Sequence, residues 1–183
     1  MIGSFKCMFK VKALNVTVAF LMLLFIPLIP AQAGSENVDK VDWTADYILV
    51  SKAAKELTLY AGVKRIKTYK VALGRDPVGH KVRQGDRKTP EGIYFIDARN
   101  ENSKYHLALH ISYPDAIDDY KARNLGSSPG GGIMIHGTGD EYEWMGKLHA
   151  SINWTDGCIA VTNKEIEEIW ELVPDGTLIE IRP

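Results

Sequence analysis

Tyr47-Ile48-Leu49-Val50-Ser51, Leu57-Thr58-Leu59 and Tyr69-Lys70-Val71-Ala72-Leu73 decide how this chain folds. In each stretch large apolar residues recur at every second position: Ile48 and Val50, Leu57 and Leu59, then Tyr69, Val71 and Leu73. Successive side chains of a strand point to opposite faces, so this period of two predicts strands with one buried and one wet face. Ala61-Gly62 is the turn between the second and third. Further on, Ile93 to Ile96, Leu107 to Ile111 and Thr177 to Ile181 read as strands, as does Ile133-Met134-Ile135, which ends on His136. Loops rich in Gly, Pro and charge separate them, the longest from Gly74 to Gly92. Two segments change period. Asp115 to Asn124 reads as a short helix with Asp115 as N-cap. Thr162-Asn163-Lys164-Glu165 is a capping box, in which the Thr oxygen and the Glu carboxylate each accept from the other's backbone N–H. Ile166, Ile169, Trp170 and Val173 then form an apolar stripe at helical spacing, and Pro174-Asp175-Gly176 stops it. The expected fold is mainly β: a single domain with a curved or sandwiched sheet and one or two short helices, one of them C-terminal and packed against the sheet.

Upstream the pattern differs. Lys6, Lys10 and Lys12 give a basic start, an apolar run extends from Val16 to Ile29, and Ala31-Gln32-Ala33 supplies small residues. These are the three parts of a secretory signal peptide, which predicts cleavage after Ala33. The run is short for a spanning helix, which needs about 20 apolar residues; contact with the membrane is expected only if the segment is kept as an anchor. Residues 1–33 are read as signal peptide, 34–44 as a polar linker and 45–183 as the folded domain, located in the periplasm or cell envelope. The 183-residue chain has a formal charge of −1; losing three lysines and no acid takes it to −4. A mildly acidic protein without a basic run is a poor nucleic-acid binder. No phosphate loop or dinucleotide fingerprint is present, and no cofactor is expected.

After cleavage one cysteine remains, Cys158, in Trp154-Thr155-Asp156-Gly157-Cys158-Ile159-Ala160-Val161. A turn-forming Thr-Asp-Gly precedes the thiol and an apolar strand-like run comes after it. Gly157 leaves room for substrate to approach the backbone, and the amides of Gly157 and Cys158 are placed to meet a carbonyl oxygen as an oxyanion hole does. A thiol with a pKa near 8.5 is mostly protonated at neutral pH and needs a base. His136 ends a buried strand and is followed by Gly137-Thr138-Gly139, which suits that role. His149 ranks second, in a segment that reads as mobile, and is a candidate for substrate contact with Trp144, Trp154 and Asp156. His106 and His110 have the i, i+4 spacing of a helical zinc site, but on a strand their rings stand about 13 Å apart, so no metal is expected. His80, alone in a charged loop, is expected to be solvent-exposed.

These segments resemble the L,D-transpeptidase catalytic domain (YkuD) family. The resemblance rests on Ile135-His136-Gly137-Thr138, Thr155-Asp156-Gly157-Cys158-Ile159 and Val173-Pro174-Asp175-Gly176-Thr177, with Thr89-Pro90-Glu91-Gly92 and Tyr113-Pro114 upstream. It covers roughly residues 45–183. It implies acyl transfer on peptidoglycan stem peptides through a thioester on Cys158, with His136 as base. It also implies a backbone carbonyl, that of Gly137, orienting the imidazole, and Thr155 and Gly157 shaping the nucleophile loop. Three departures stand out. Thr155-Asp156-Gly157-Cys158 replaces the usual Ser-His-Gly-Cys, and Ala160 stands where many members have an Arg that would hold a substrate carboxylate. The third is the gap of 22 positions between His136 and Cys158, longer than usual; its extra length, Gly139 to Trp154, reads as a specificity lid. The Trp-Thr-Asp-Gly-Cys-Ile-Ala pattern is similar to that of members that hydrolyse the link between peptidoglycan and an outer-membrane lipoprotein. Hydrolysis of such a link, with the wall-linked lipoprotein as partner, is therefore the alternative to transpeptidation. A wall-binding module without catalysis is the reading from a different class.

Overall fold

A computed structural model describes residues 43–183. The proposed signal segment, 1–33, and most of the linker lie outside the described residues. Eight strands form one sheet in the order β3-β2-β1-β8-β4-β5-β6-β7. The chain enters as an antiparallel meander, β1 (Tyr47–Ser51), β2 (Glu56–Ala61) and β3 (Lys64–Lys70). The last strand, β8 (Leu178–Arg182), returns to lie parallel to β1 and antiparallel to β4 (Gly92–Ser103). β4 then pairs with β5 (His106–Ile111), β5 with β6 (Met134–His136), and β6 runs parallel to the two-residue β7 (Ile159–Ala160).

β4 is much longer than the Ile93–Ile96 stretch that its alternation marks. Residues 92–95 pair with β8, and the pairing with β5 takes over from Ile96, with register breaks after Ile96 and after Asn100. Such irregularities bend a strand and raise its local twist. The sheet curves far enough for its two ends to meet. Ala72, just beyond β3, exchanges two backbone hydrogen bonds of 2.9 Å with Ala160 of β7, and Thr155 N–H donates to the Leu73 carbonyl. Of the two sheet forms expected, the curved one is observed, and the isolated bridges Ala72–Ala160 and Gly74–Thr155 cover part of its two edges.

Ile48, Val50, Leu57, Leu59, Tyr69, Leu73, Ile96, Leu109, Ile111, Ile135 and Ile159 fill the concave side, all essentially buried. Burying an aliphatic side chain of this size contributes roughly 1.5–3 kcal/mol. α2 (Asn163–Leu172) covers this core with Ile166 and Ile169, and Val173 comes next; Thr162 and Glu165 form the expected capping box. α1 (Ala116–Asn124) is capped by Asp115, whose carboxylate accepts from Ile117 and Asp118 N–H. A 3-10 segment, Glu143–Ser151, kinked at Gly146, adds a third short helical element inside the stretch read as a lid. His80 is not solvent-exposed: its ring packs edge-on to Tyr113, Nδ1 accepts from Glu91 N–H, and Nε2 lies 2.9 Å from Asp118. A loop charge looked sufficient to keep it in water, but α1 folds over it. Among the described residues no helix is long and apolar enough to cross a membrane.

Candidate active site

The seam that joins the sheet edges brings the candidate catalytic residues together. β7 runs parallel to β6 with Ile159 beside Ile135 and Ala160 beside His136, so Cys158 falls beside Met134, two positions before His136 and on the same face of the sheet. Cys158 and His136 line one cavity of about 460 Å³, together with Trp154, Thr155, Tyr105 and Tyr142.

His136 is 2% exposed. Its Nδ1 lies 2.6 Å from the Gly137 carbonyl, which accepts only if Nδ1 carries the proton. That bond fixes the tautomer and leaves Nε2 with a lone pair. The ring stacks on Tyr105, with centroids 4.4 Å apart, and meets Trp154 edge-on at 5.7 Å. Burial lowers its pKa to about 4; the Gly137 carbonyl opposes this, and His149 and Lys104 add to it. The imidazole is therefore neutral at neutral pH.

The turn after His136 is held from α2. Asn163, the first residue of that helix, accepts at Oδ1 from the backbone N–H of Thr138 and of Gly139, both at 3.0 Å, and from the Thr138 hydroxyl. A Cβ on Gly137 would lie 2.6 Å from this same oxygen and 2.8 Å from the Tyr105 carbonyl, so only glycine allows the turn.

The nucleophile loop is closed by Thr155, 5% exposed, whose hydroxyl accepts from Gly157 N–H at 3.1 Å and donates to the Cys158 carbonyl at 2.7 Å. The Gly157 amide is thereby occupied, and of the two amides expected to face a carbonyl oxygen only that of Cys158 has no acceptor among the described hydrogen bonds. Gly157 itself has φ +140°, and a Cβ there would come within 2.8 Å of the Lys88 carbonyl. Cys158 is a free thiol, with Sγ 3.6 Å from the Gly132 carbonyl. Burial raises its pKa, with Asp156 adding to the rise and the Met134 N–H and Lys81 opposing it. The resting pair is thus neutral thiol and neutral imidazole.

Other residues singled out in the sequence fall elsewhere. Asp156 is on the cavity wall, paired with Arg75 at 2.8 Å. His149 is 1% exposed and does not line the cavity. The 3-10 segment turns it inward, so the segment is not the loose loop its composition suggests. Trp144 is 79% exposed and also off the wall, because the same segment points it to solvent. His106 pairs with Glu167 and His110 with Asp97, and no cluster able to hold a metal occurs among the described residues. Sequence reasoning missed Tyr105, Arg75, Met145 and Asn163. Tyr105 had no signal beyond lying at a β-turn, and Asn163 looked like helix capping alone.

The fold and this pair of facing segments define a class. The chain belongs to the L,D-transpeptidase catalytic domain (YkuD) family, whose model matches residues 45–181. It is 33% identical over 147 residues to YafK of Escherichia coli (strain K12), whose name assigns it provisionally to the L,D-transpeptidases. The match covers 75% of this chain and 50% of YafK, so the chain spans about half the length of that relative. YqjB of Bacillus subtilis (strain 168), named in the same way, is 28% identical over 166 residues, 88% of this chain and 84% of YqjB. Among solved structures, the helical cell shape determining protein Pgp2 from Campylobacter jejuni superposes with a TM-score of 0.57 at 27% identity, over 76% of this chain and 48% of Pgp2.

Proposed function

We propose that this chain is an exported cysteine acyltransferase of the cell envelope that acts on peptidoglycan stem peptides. The observation that carries the reading is the placement of Cys158 and His136 on one cavity, with His136 Nδ1 committed to Gly137 and Nε2 left as a base. His136 Nε2 takes the thiol proton as Sγ attacks the carbonyl of an L-centre to D-centre peptide bond. The S–C bond forms, the carbonyl oxygen becomes an oxyanion facing the Cys158 N–H, and the tetrahedral intermediate collapses with C–N cleavage. The imidazolium returns its proton to the leaving amine, which departs as a free D-amino acid. An amine from a second stem peptide or a protein then attacks the thioester, again losing its proton to His136, and Cys158 is restored. Where the leaving amine is instead that of a wall-linked lipoprotein, C–N cleavage releases the lipoprotein, and water as the acceptor then hydrolyses the thioester.

Because His136 is neutral and the thiol is held protonated, the base must act during attack rather than through a preformed ion pair. Thr155 and Gly157 position the nucleophile, Gly137 the base, and Trp154 borders the substrate. The membership in a transpeptidase family, and the likeness to a protein that determines cell shape, support a wall substrate. Incubation with purified muropeptides, followed by mass spectrometry, tests the reading: cross-linked or exchanged products with loss of terminal D-alanine are expected, and unaltered muropeptides would refute it. Export is tested by sequencing the N-terminus of the envelope-associated protein, which is expected to begin at Gly34; a chain still carrying Met1 would mean that the segment serves as an anchor.

A further inference from the structure

Beside the aromatic cavity lies a second one of about 450 Å³, lined by Arg75, Lys81, Arg87, Asp156, Gly130 and Ile133 among others. Arg75 and Asp156 line both, so their ion pair forms the partition between them. The charges of the second cavity are unbalanced. Lys81 is neutralised from behind by Asp86. Burial would raise the pKa of that carboxylate, but the Lys81 ammonium and three backbone N–H groups hold it at about 2. Arg87 is exposed and has no carboxylate partner among the described residues. Arg75 has one side-chain partner, Asp156, and that pair is 50% and 73% exposed. Pairs this exposed contribute little, typically below about 1 kcal/mol, so the partner is cheaply exchanged.

The backbone beneath Arg75 is the opposite of exchangeable. Arg75 N–H donates to the Thr155 carbonyl at 3.0 Å, Asp76 N–H to the Arg87 carbonyl at 3.1 Å, and Gly74 N–H to the Thr89 hydroxyl at 3.0 Å. Three bonds thus tie the loop after β3 to the nucleophile loop and to its own far side. They fix the root of a guanidinium across the seam from Cys158, while leaving its tip on a weakly held carboxylate. A planar guanidinium prefers two-point contact with a carboxylate, and Arg75 offers it.

We propose that Arg75 is the residue that recognises the free C-terminal carboxylate of the donor peptide, taking it in exchange for Asp156, with Arg87 supplying further positive potential beyond it. The inference rests on the reading of Cys158 as the acylated residue, and what it adds is the side chain that selects for the carboxylate of such a donor. With the scissile carbonyl at Cys158, the leaving residue crosses the Arg75–Asp156 partition into the basic cavity. Asp156 acts as an internal competitor that keeps the guanidinium occupied in the free protein.

Calorimetric titration of the full chain carrying Cys158→Ala tests this without turnover. The probes are a stem tetrapeptide ending in D-alanine and the same peptide as its C-terminal carboxamide. The carboxylate form is expected to bind about tenfold more tightly, the size of one charged hydrogen-bonded contact at a half-exposed site. Arg75→Ala should erase that preference, and Arg75→Lys, with charge but no fork, should keep only part of it. Asp156→Asn should strengthen binding of the carboxylate form severalfold and leave the carboxamide unchanged. Equal binding of the two peptides, or no binding of either, would overturn the proposal. So would Arg75→Ala and Asp156→Asn shifting both peptides in the same direction, as a simple loop staple would. Thermal melts check that each variant is folded, and the Lys variant carries the test if the Ala variant is not. If the carboxylate preference holds but the native chain turns over no stem peptide, the thioester reading fails and the recognition of carboxylate stands.

Discussion

The two walls of the cavity are built differently. On one side His136 is buried, stacked on Tyr105, tied to Gly137 and backed by Asn163 from α2. On the other, the 3-10 segment Glu143–Ser151 presents Trp144 and Leu148 to solvent, 79% and 69% exposed, and contributes Met145 to the cavity. The first wall has almost nothing that can move without disturbing the core; the second has apolar side chains that no part of the described chain covers. Chemistry needs a fixed base, and selection of what reaches it needs a surface that can vary. Under the proposed reaction the base stands on the β6–α2 wall, and substrate contacts other than the carboxylate assigned to Arg75 fall to the 3-10 wall, which makes the two separable by mutation.

Cys158→Ser and His136→Ala should each lower turnover of stem peptides by at least about 10³-fold, since the thiol and its base act as a unit. A steady-state assay measures this; a nearly active His136→Ala with a dead His149→Ala would move the base to the other wall and break the comparison. The pH dependence sharpens it. A histidine with an unperturbed pKa near 6.5 is about 3% neutral at pH 5, whereas His136, held at about 4, stays mostly neutral there. The acid limb of kcat/KM should therefore fall only as the pH drops through about 4. A limb centred at about 6.5 would mean that the buried wall is not dry. Asn163→Ala should cost about tenfold in kcat with little change in KM, as loss of a group that orients a catalytic residue does. Circular dichroism separates this from the loss of α2.

The smallest effects are expected on the open wall. Tyr142→Ala, at the cavity, should raise KM a few-fold with kcat nearly unchanged, because it removes binding shared by ground and transition states. Trp144→Ala should stay within about twofold. A larger effect of Trp144 than of Tyr142 would mean that substrate contacts the outer face of the segment.

Legibility in the sequence divides along similar lines. β1, β2 and β5 were legible because apolar residues recur at every second position, Ile48 and Val50, Leu57 and Leu59, Leu107, Leu109 and Ile111, and α2 because its apolar stripe has helical spacing behind a capping box; the segments around His136 and Cys158 were legible because short motifs carry them. The second half of β4 was not legible: past Ile96 it has no fully buried residue, so no alternation marks it as a strand, and pairing with β5 alone makes it one. Curvature was equally hidden, since the Ala72–Ala160 bridge joins residues whose types carry no signal. His149 misled because a His near a Cys in sequence invites a role, whereas burial is set by the fold of the 3-10 segment. Arg75 was invisible because its position depends on three backbone bonds that no pattern announces.

Central to the proposed reaction is Cys158 as carrier of the acyl group between donor and acceptor. Intact-mass spectrometry of rapidly quenched reactions with a stem tetrapeptide tests it most directly. The expected result is a covalent adduct equal to the tetrapeptide less D-alanine, mapped by peptide digestion to Cys158, formed at a much reduced rate in His136→Ala and absent in Cys158→Ala. Product formation by Cys158→Ala at the native rate, or an adduct on any other residue, would contradict it.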